Sequence, residues 1–116
     1  MKYRHQELAG GKWNKLNLFE QMANVGSEVE RAINWRDKDR RYSRMAAERA
    51  LELASLTIAD PKNQNGGLKE LTRLYEFLVD YFFGENRYGS SDKSWRTYFY
   101  GFNFAARRKT VEIADV

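Results

Sequence analysis

A chain of 116 residues has room for one domain, and at that size folding buries roughly two-thirds of the surface the unfolded chain exposes, enough for a single core. Hydrophobic residues make up 42% and aromatics 15%, which excludes a disordered chain, and the absence of cysteine excludes disulfides, thiolate metal sites and a cysteine nucleophile. The net charge of +4, from 20 basic and 16 acidic residues, describes a mixed surface that leans toward an anionic partner.

Residues 1–12 are polar and lack the apolar core of a signal peptide. No later run approaches the roughly 18 apolar residues that a membrane helix needs, so a cytoplasmic protein with no membrane partner is expected. Three breaks then divide the chain: Arg36-Asp37-Lys38-Asp39, the turn-rich stretch from Asp60-Pro61 to Gly66-Gly67, and Gly84 to Ser90. The four segments between them are all of helical length. An all-α, up-down four-helix bundle over residues 1–116 is therefore expected, with helices at about 17–35, 39–59, 67–83 and 91–109.

In the first segment Asn17 and Glu20 have capping-box spacing, and Leu18, Met22, Val25, Val29 and Ile33 recur at steps of three and four. Gly26 lies on that apolar face, where it admits close approach of a neighbouring helix. The second segment is rich in strong helix formers and places Tyr42, Met45, Ala46, Leu53, Leu56 and Thr57 on a broad buried face, and Asp60 before Pro61 stops it. In the third, Leu68, Leu71, Leu74, Tyr75, Leu78, Tyr81 and Phe82 trace a heptad-like stripe closed by Gly84. The fourth repeats Trp95, Tyr98, Phe99, Phe102, Ala105 and Ala106, while Tyr100 and Phe104 point away from that stripe.

Short connections make successive helices antiparallel, so loops one and three share one end of the bundle. Arg36, Lys38, Arg40, Arg41 and Arg44 then come near Arg87, Lys93 and Arg96, while Lys12, Lys15, Lys62, Lys69 and Arg107-Arg108-Lys109 gather at the other end. From Arg31 to Arg49 seven basic residues face three acidic ones. Phosphate contact explains that excess, and so does a solvated helix face.

Catalysis finds no positive signal. The only histidine, His5, lies outside every predicted helix, so Glu28, Glu48, Glu52, Glu76 and Asp80 lack the imidazoles of a bundle di-metal site, and they read more simply as partners of Arg31, Arg44, Arg49 and Arg73. No phosphate-binding glycine loop occurs, and neither a metal nor a cofactor is expected. A carboxylate enzyme using Glu28, Glu76 and Asp80 is the remote alternative. From Lys93 to Lys109, five basic residues and six aromatics interleave with no acid, the combination single-stranded nucleic acid requires, although Trp95, Tyr98, Phe99 and Phe102 sit at core spacing. Trp35, Tyr88, Tyr100 and Phe104 are surplus to one bundle core and mark an expected homo-oligomer interface.

Three stretches, 26–32, 56–61 and 80–88 (Gly-Ser-Glu-Val-Glu-Arg-Ala, Leu-Thr-Ile-Ala-Asp-Pro and Asp-Tyr-Phe-Phe-Gly-Glu-Asn-Arg-Tyr), resemble a small, widespread prokaryotic family to which no activity is attached. In size, basicity and architecture the chain also resembles the four-helix-bundle proteins of ribosomal RNA intervening sequences and the accessory variability (Avd) proteins of diversity-generating retroelements. That resemblance implies a positively charged ring of identical bundles that binds RNA and DNA and partners a reverse transcriptase without catalysing a reaction. The expected function is nucleic-acid binding, RNA foremost, through Arg36, Lys38, Arg40, Arg41, Arg44, Arg96, Arg107, Arg108 and Lys109. The alternative is a protein adaptor whose basic ends meet an acidic protein surface.

Overall fold

The computed structural model describes residues 11–64 and 66–102. The fold is a four-helix bundle: α1 (Leu18–Trp35), α2 (Arg40–Ala59), α3 (Leu68–Phe83) and α4 (residues 92–102), with no strand among the described residues. Short 3-10 turns at Trp13–Lys15 and Pro61–Asn63 precede α1 and follow α2.

The capping box is formed: the Asn17 side chain accepts from Glu20 N–H at 2.8 Å, and Glu20 Oε1 accepts from Asn17 N–H at 3.2 Å. These bonds satisfy two backbone donors that a helix start otherwise leaves open. Asp39 caps α2 by accepting from Tyr42 N–H at 3.1 Å. The helix ends at Ala59, where Asp60 adopts extended backbone before Pro61.

Each helix packs antiparallel to its chain neighbour, and α4 closes the bundle against α1. Arg96 reaches Glu30, Phe99 lies on Gly26, and Phe102 meets Phe19 with ring centroids 6.4 Å apart. The core holds Trp13, Met22, Val25, Val29, Ile33, Leu53, Leu71, Leu74, Leu78, Trp95 and Phe99 among its buried residues. Gly26 is needed for the α1–α4 approach, because a Cβ there would fall 2.7 Å from both Phe99 Cβ and Cγ. Ala32, Ala46 and Ala47 form a small-residue contact that brings α1 and the start of α2 together, fastened by Ser43 Oγ donating to Ala32 O at 2.6 Å.

Two expectations need correction. Tyr42 and Leu68 are exposed, not buried. Each sits in the first turn of its helix, where the neighbouring helix no longer covers the apolar stripe. Gly84 caps the C-terminus of α3 as expected, donating its N–H to Asp80 O at 3.1 Å from extended backbone, and the loop beyond it takes left-handed backbone at Asn86, φ 55°, and at Gly89, φ 68°. Asparagine adopts this region more readily than most residues, and here its side chain both accepts from Ser90 N–H and donates to Ser90 O, each at 2.9 Å.

At the end of the bundle where α1 begins, a buried polar knot joins the segment before α1 to the loop after α2. Trp13 Nε1 donates to Thr57 Oγ1 at 3.1 Å; Gln21 Nε2 donates to Trp13 O at 3.2 Å and to Asp60 Oδ2 at 2.8 Å; Asn63 Nδ2 donates to Gln21 Oε1 and to Thr57 O, both at 2.9 Å. Lys62 Nζ pairs with Asp60 and also donates to Asn14 O. Gln21 is 0% and Asp60 3% exposed, so these groups must satisfy one another. No described helix is long and apolar enough to cross a membrane.

Candidate nucleic-acid interface

At the opposite end, the start of α2 faces the end of α3 across a cleft of about 690 Å3. Arg36, Arg40, Arg41 and Arg44 line one side with Ser43 and Ala47, while Tyr81, Phe82, Phe83 and Asn86 line the other. The small side chains at 43 and 47 leave the space open, and the spacing of Arg40 and Arg44 sets both on one helix face.

Arg36 is the most constrained of the four arginines. Its guanidinium donates to both oxygens of Asp92, at 3.1 and 3.2 Å, and lies 5.3 Å from the Tyr81 ring centroid and 5.9 Å from that of Phe82. Partial burial works against its charge, but hydrogen bonds with Tyr81 and Asp92 outweigh it and raise its pKa. Asp92 is held below the ordinary carboxylate value against the same burial penalty, by hydrogen bonds from Tyr81 and Arg36. Tyr81, Arg36 and Asp92 thus form one neutralised unit joining α1, α3 and α4.

Arg40, Arg41 and Arg44 differ from it: all three are exposed, and none makes an ion pair with a described residue. Phe83 is 40% exposed and makes no ring contact with a described residue. The cleft therefore combines free cations with an open aromatic face, and its lining contains no carboxylate, histidine or lysine. Such a site can hold an anion with a flat apolar part.

The remaining expected contacts are dispersed. Lys38 lies outside the cleft, with its ammonium 5.7 Å from the Trp35 ring centroid. Arg96 turns to α1, donating to Glu30 at 3.0 Å and to Asn34 Oδ1 at 3.0 Å. Arg107, Arg108 and Lys109 lie outside the described residues, as does Phe104. Of the expected interface rings, Trp35 is 39% exposed and packs on Tyr42 at 4.7 Å, Tyr88 stacks on Phe77 at 4.2 Å, and Tyr100 is 71% exposed.

The carboxylates of the enzyme alternative, Glu28, Glu76 and Asp80, do not converge on the cleft. Glu28 pairs with Arg31 at 3.0 Å, Glu76 is exposed, and Asp80 accepts from Arg87 N–H at 2.8 Å and Tyr88 N–H at 3.1 Å, shaping the loop after α3. No group of three or more potential metal ligands occurs among the described residues.

Sequence reasoning found the arginines but missed the opposite wall. Periodicity places Tyr81 and Phe82 on the core stripe and leaves Phe83 outside it; the signal for the wall is that antiparallel α2 and α3 bring residues 40–47 alongside residues 81–86.

No protein-family profile, curated protein or solved structure matches the chain. The functional reading therefore rests on the cleft.

Proposed function

We propose that this protein is a non-enzymatic nucleic-acid-binding bundle, with RNA as its first ligand class, which engages phosphates through Arg40, Arg41 and Arg44. One observation carries the reading: these three arginines line a single cleft without an ion pair to any described residue, whereas Arg36 and Arg96 nearby are neutralised. Planar guanidinium groups without carboxylate partners bind phosphate in charge-assisted, often bidentate fashion. The aromatic wall favours nucleic acid over an acidic protein surface, since bases add flat rings to the anionic groups.

Self-association belongs to the same proposal. Trp35, Tyr88 and Tyr100 keep large apolar surface in contact with water, and exposed rings of this kind are enriched where proteins meet. The resemblance to accessory variability proteins makes a reverse transcriptase the protein partner to try first.

The test is fluorescence anisotropy of labelled RNA with purified protein across a salt series, with light scattering on the same sample. Binding that weakens steeply with salt, by an oligomer, is expected. A monomer with no affinity at low salt would overturn the proposal.

A further inference from the structure

The cleft has the dimensions of a small-ligand site. Its volume of about 690 Å3 lies within the roughly 300–1,000 Å3 of sites that enclose small ligands. A duplex is bound by surfaces that follow its outer phosphates, and its bases remain stacked on both faces, unavailable to a protein ring.

The two walls divide the work. Arg36 already covers the rings of Tyr81 and Phe82 and is held there by Asp92, so Phe83 is the ring left to receive a base. The amide of Asn86 is tied to Ser90 through one N–H and its oxygen, which turns it toward its own loop. Stacking without edge readout accepts every base, because each has a π-face. The facing arginines then meet the phosphate.

Building on the nucleic-acid reading above, we infer that this cleft captures a single unstacked nucleoside phosphate, base against Phe83 and phosphate on Arg40, Arg41 and Arg44, so that the protein selects unpaired strands over duplex with little base preference. The nucleotide comes either from within an unpaired strand or from a phosphorylated strand end.

The experiment uses the full chain and four probes: a labelled 12-nucleotide single-stranded RNA, the same sequence as a duplex, adenosine monophosphate and inorganic phosphate as competitors. Single-stranded RNA is expected to bind about tenfold or more tightly than duplex, and adenosine monophosphate to displace it at lower concentration than phosphate. Phe83→Ala should weaken single-strand binding about tenfold with duplex binding unchanged, and Phe83→Trp should restore it. Phe83 is the exposed last residue of α3, so circular dichroism should show both variants folded. With that result in hand, stronger competition by a 5′-phosphorylated strand than by its 5′-hydroxyl twin identifies a strand end as the occupant, and equal competition an internal nucleotide. Equal affinity for single strand and duplex, or folded Phe83→Ala binding like wild type, overturns the inference while leaving nucleic-acid binding intact; no affinity for either RNA overturns both.

Discussion

Replacing Gln21 by Leu tests whether the buried polar knot holds the N-terminal segment and the loop after α2 onto the bundle. Gln21 is 0% exposed and its amide makes three hydrogen bonds, to Trp13 O, Asp60 Oδ2 and Asn63 Nδ2. Leucine is similar in size, so the change removes polar contacts without opening a large cavity. Two neutral hydrogen bonds at about 1 kcal/mol each and one to a carboxylate at about 2 kcal/mol give a loss of about 4 kcal/mol. None of the three partners is orphaned: Trp13 O keeps Leu16 N–H at 3.1 Å, Asn63 keeps Thr57 O, and Asp60 keeps Lys62. Burial of the leucine side chain returns about 1–2 kcal/mol, leaving a net destabilisation of roughly 2–3 kcal/mol. For a domain of this size that lowers Tm by about 8–12 °C, read by thermal melts followed by circular dichroism. Gln64→Ala, at an exposed position on the same loop, should shift Tm by less than about 2 °C. A Gln21→Leu protein that melts within about 2 °C of wild type would refute the reasoning.

Three other predictions concern the fold. Asp60 is buried, which favours its neutral form, but hydrogen bonds from Lys62 and Gln21 prevail and hold its pKa below the ordinary value of 3.8. Its contribution to stability is therefore present above pH about 4 and lost as pH falls through the lower folded-state value, so Asp60→Asn should flatten Tm against pH in that acid range. Gly26→Ala should destabilise by about 1 kcal/mol in urea denaturation, because crowding Phe99 costs roughly 1–3 kcal/mol and alanine's helix preference returns about 1; a stabilised variant would contradict the close approach. Burial first, then the neighbouring Glu70, raises the pKa of Tyr98 above its ordinary value of 10. Its stabilisation is present below pH about 10 and is lost as pH rises further, so Tyr98→Phe should be less sensitive to alkali by the same melts.

Periodicity and capping residues made most of the fold legible. The Asn17–Glu20 box, the stop at Asp60-Pro61 and the glycine that admits Phe99 all follow from local spacing, because each depends on residues within a turn or on a gap in an apolar stripe. Contacts set by tertiary approach were not legible in this way. Trp13 lies between the polar residues 1–12 and the first helix, outside any periodic stripe, and its burial depends on Thr57, which is distant in sequence, and on Gln21 of α1. Asp60 was recognised as a helix stop but not as a buried acceptor, since the role is conferred by Gln21 from another helix. For the candidate site, charge counting located Arg36, Arg40, Arg41 and Arg44 but could not separate the neutralised arginine from the three free ones. That distinction comes from Asp92, which α4 brings to Arg36 and not to the others.

The most direct test of nucleic-acid binding at the cleft is the salt dependence of RNA affinity for wild type and for the protein carrying Arg40→Gln, Arg41→Gln and Arg44→Gln together. Each phosphate contact on a single strand contributes about 0.7 to the slope of log affinity against log salt, so loss of three contacts should reduce the slope by about 2 and weaken binding at low salt. A folded triple variant with the wild-type slope and affinity would contradict the account.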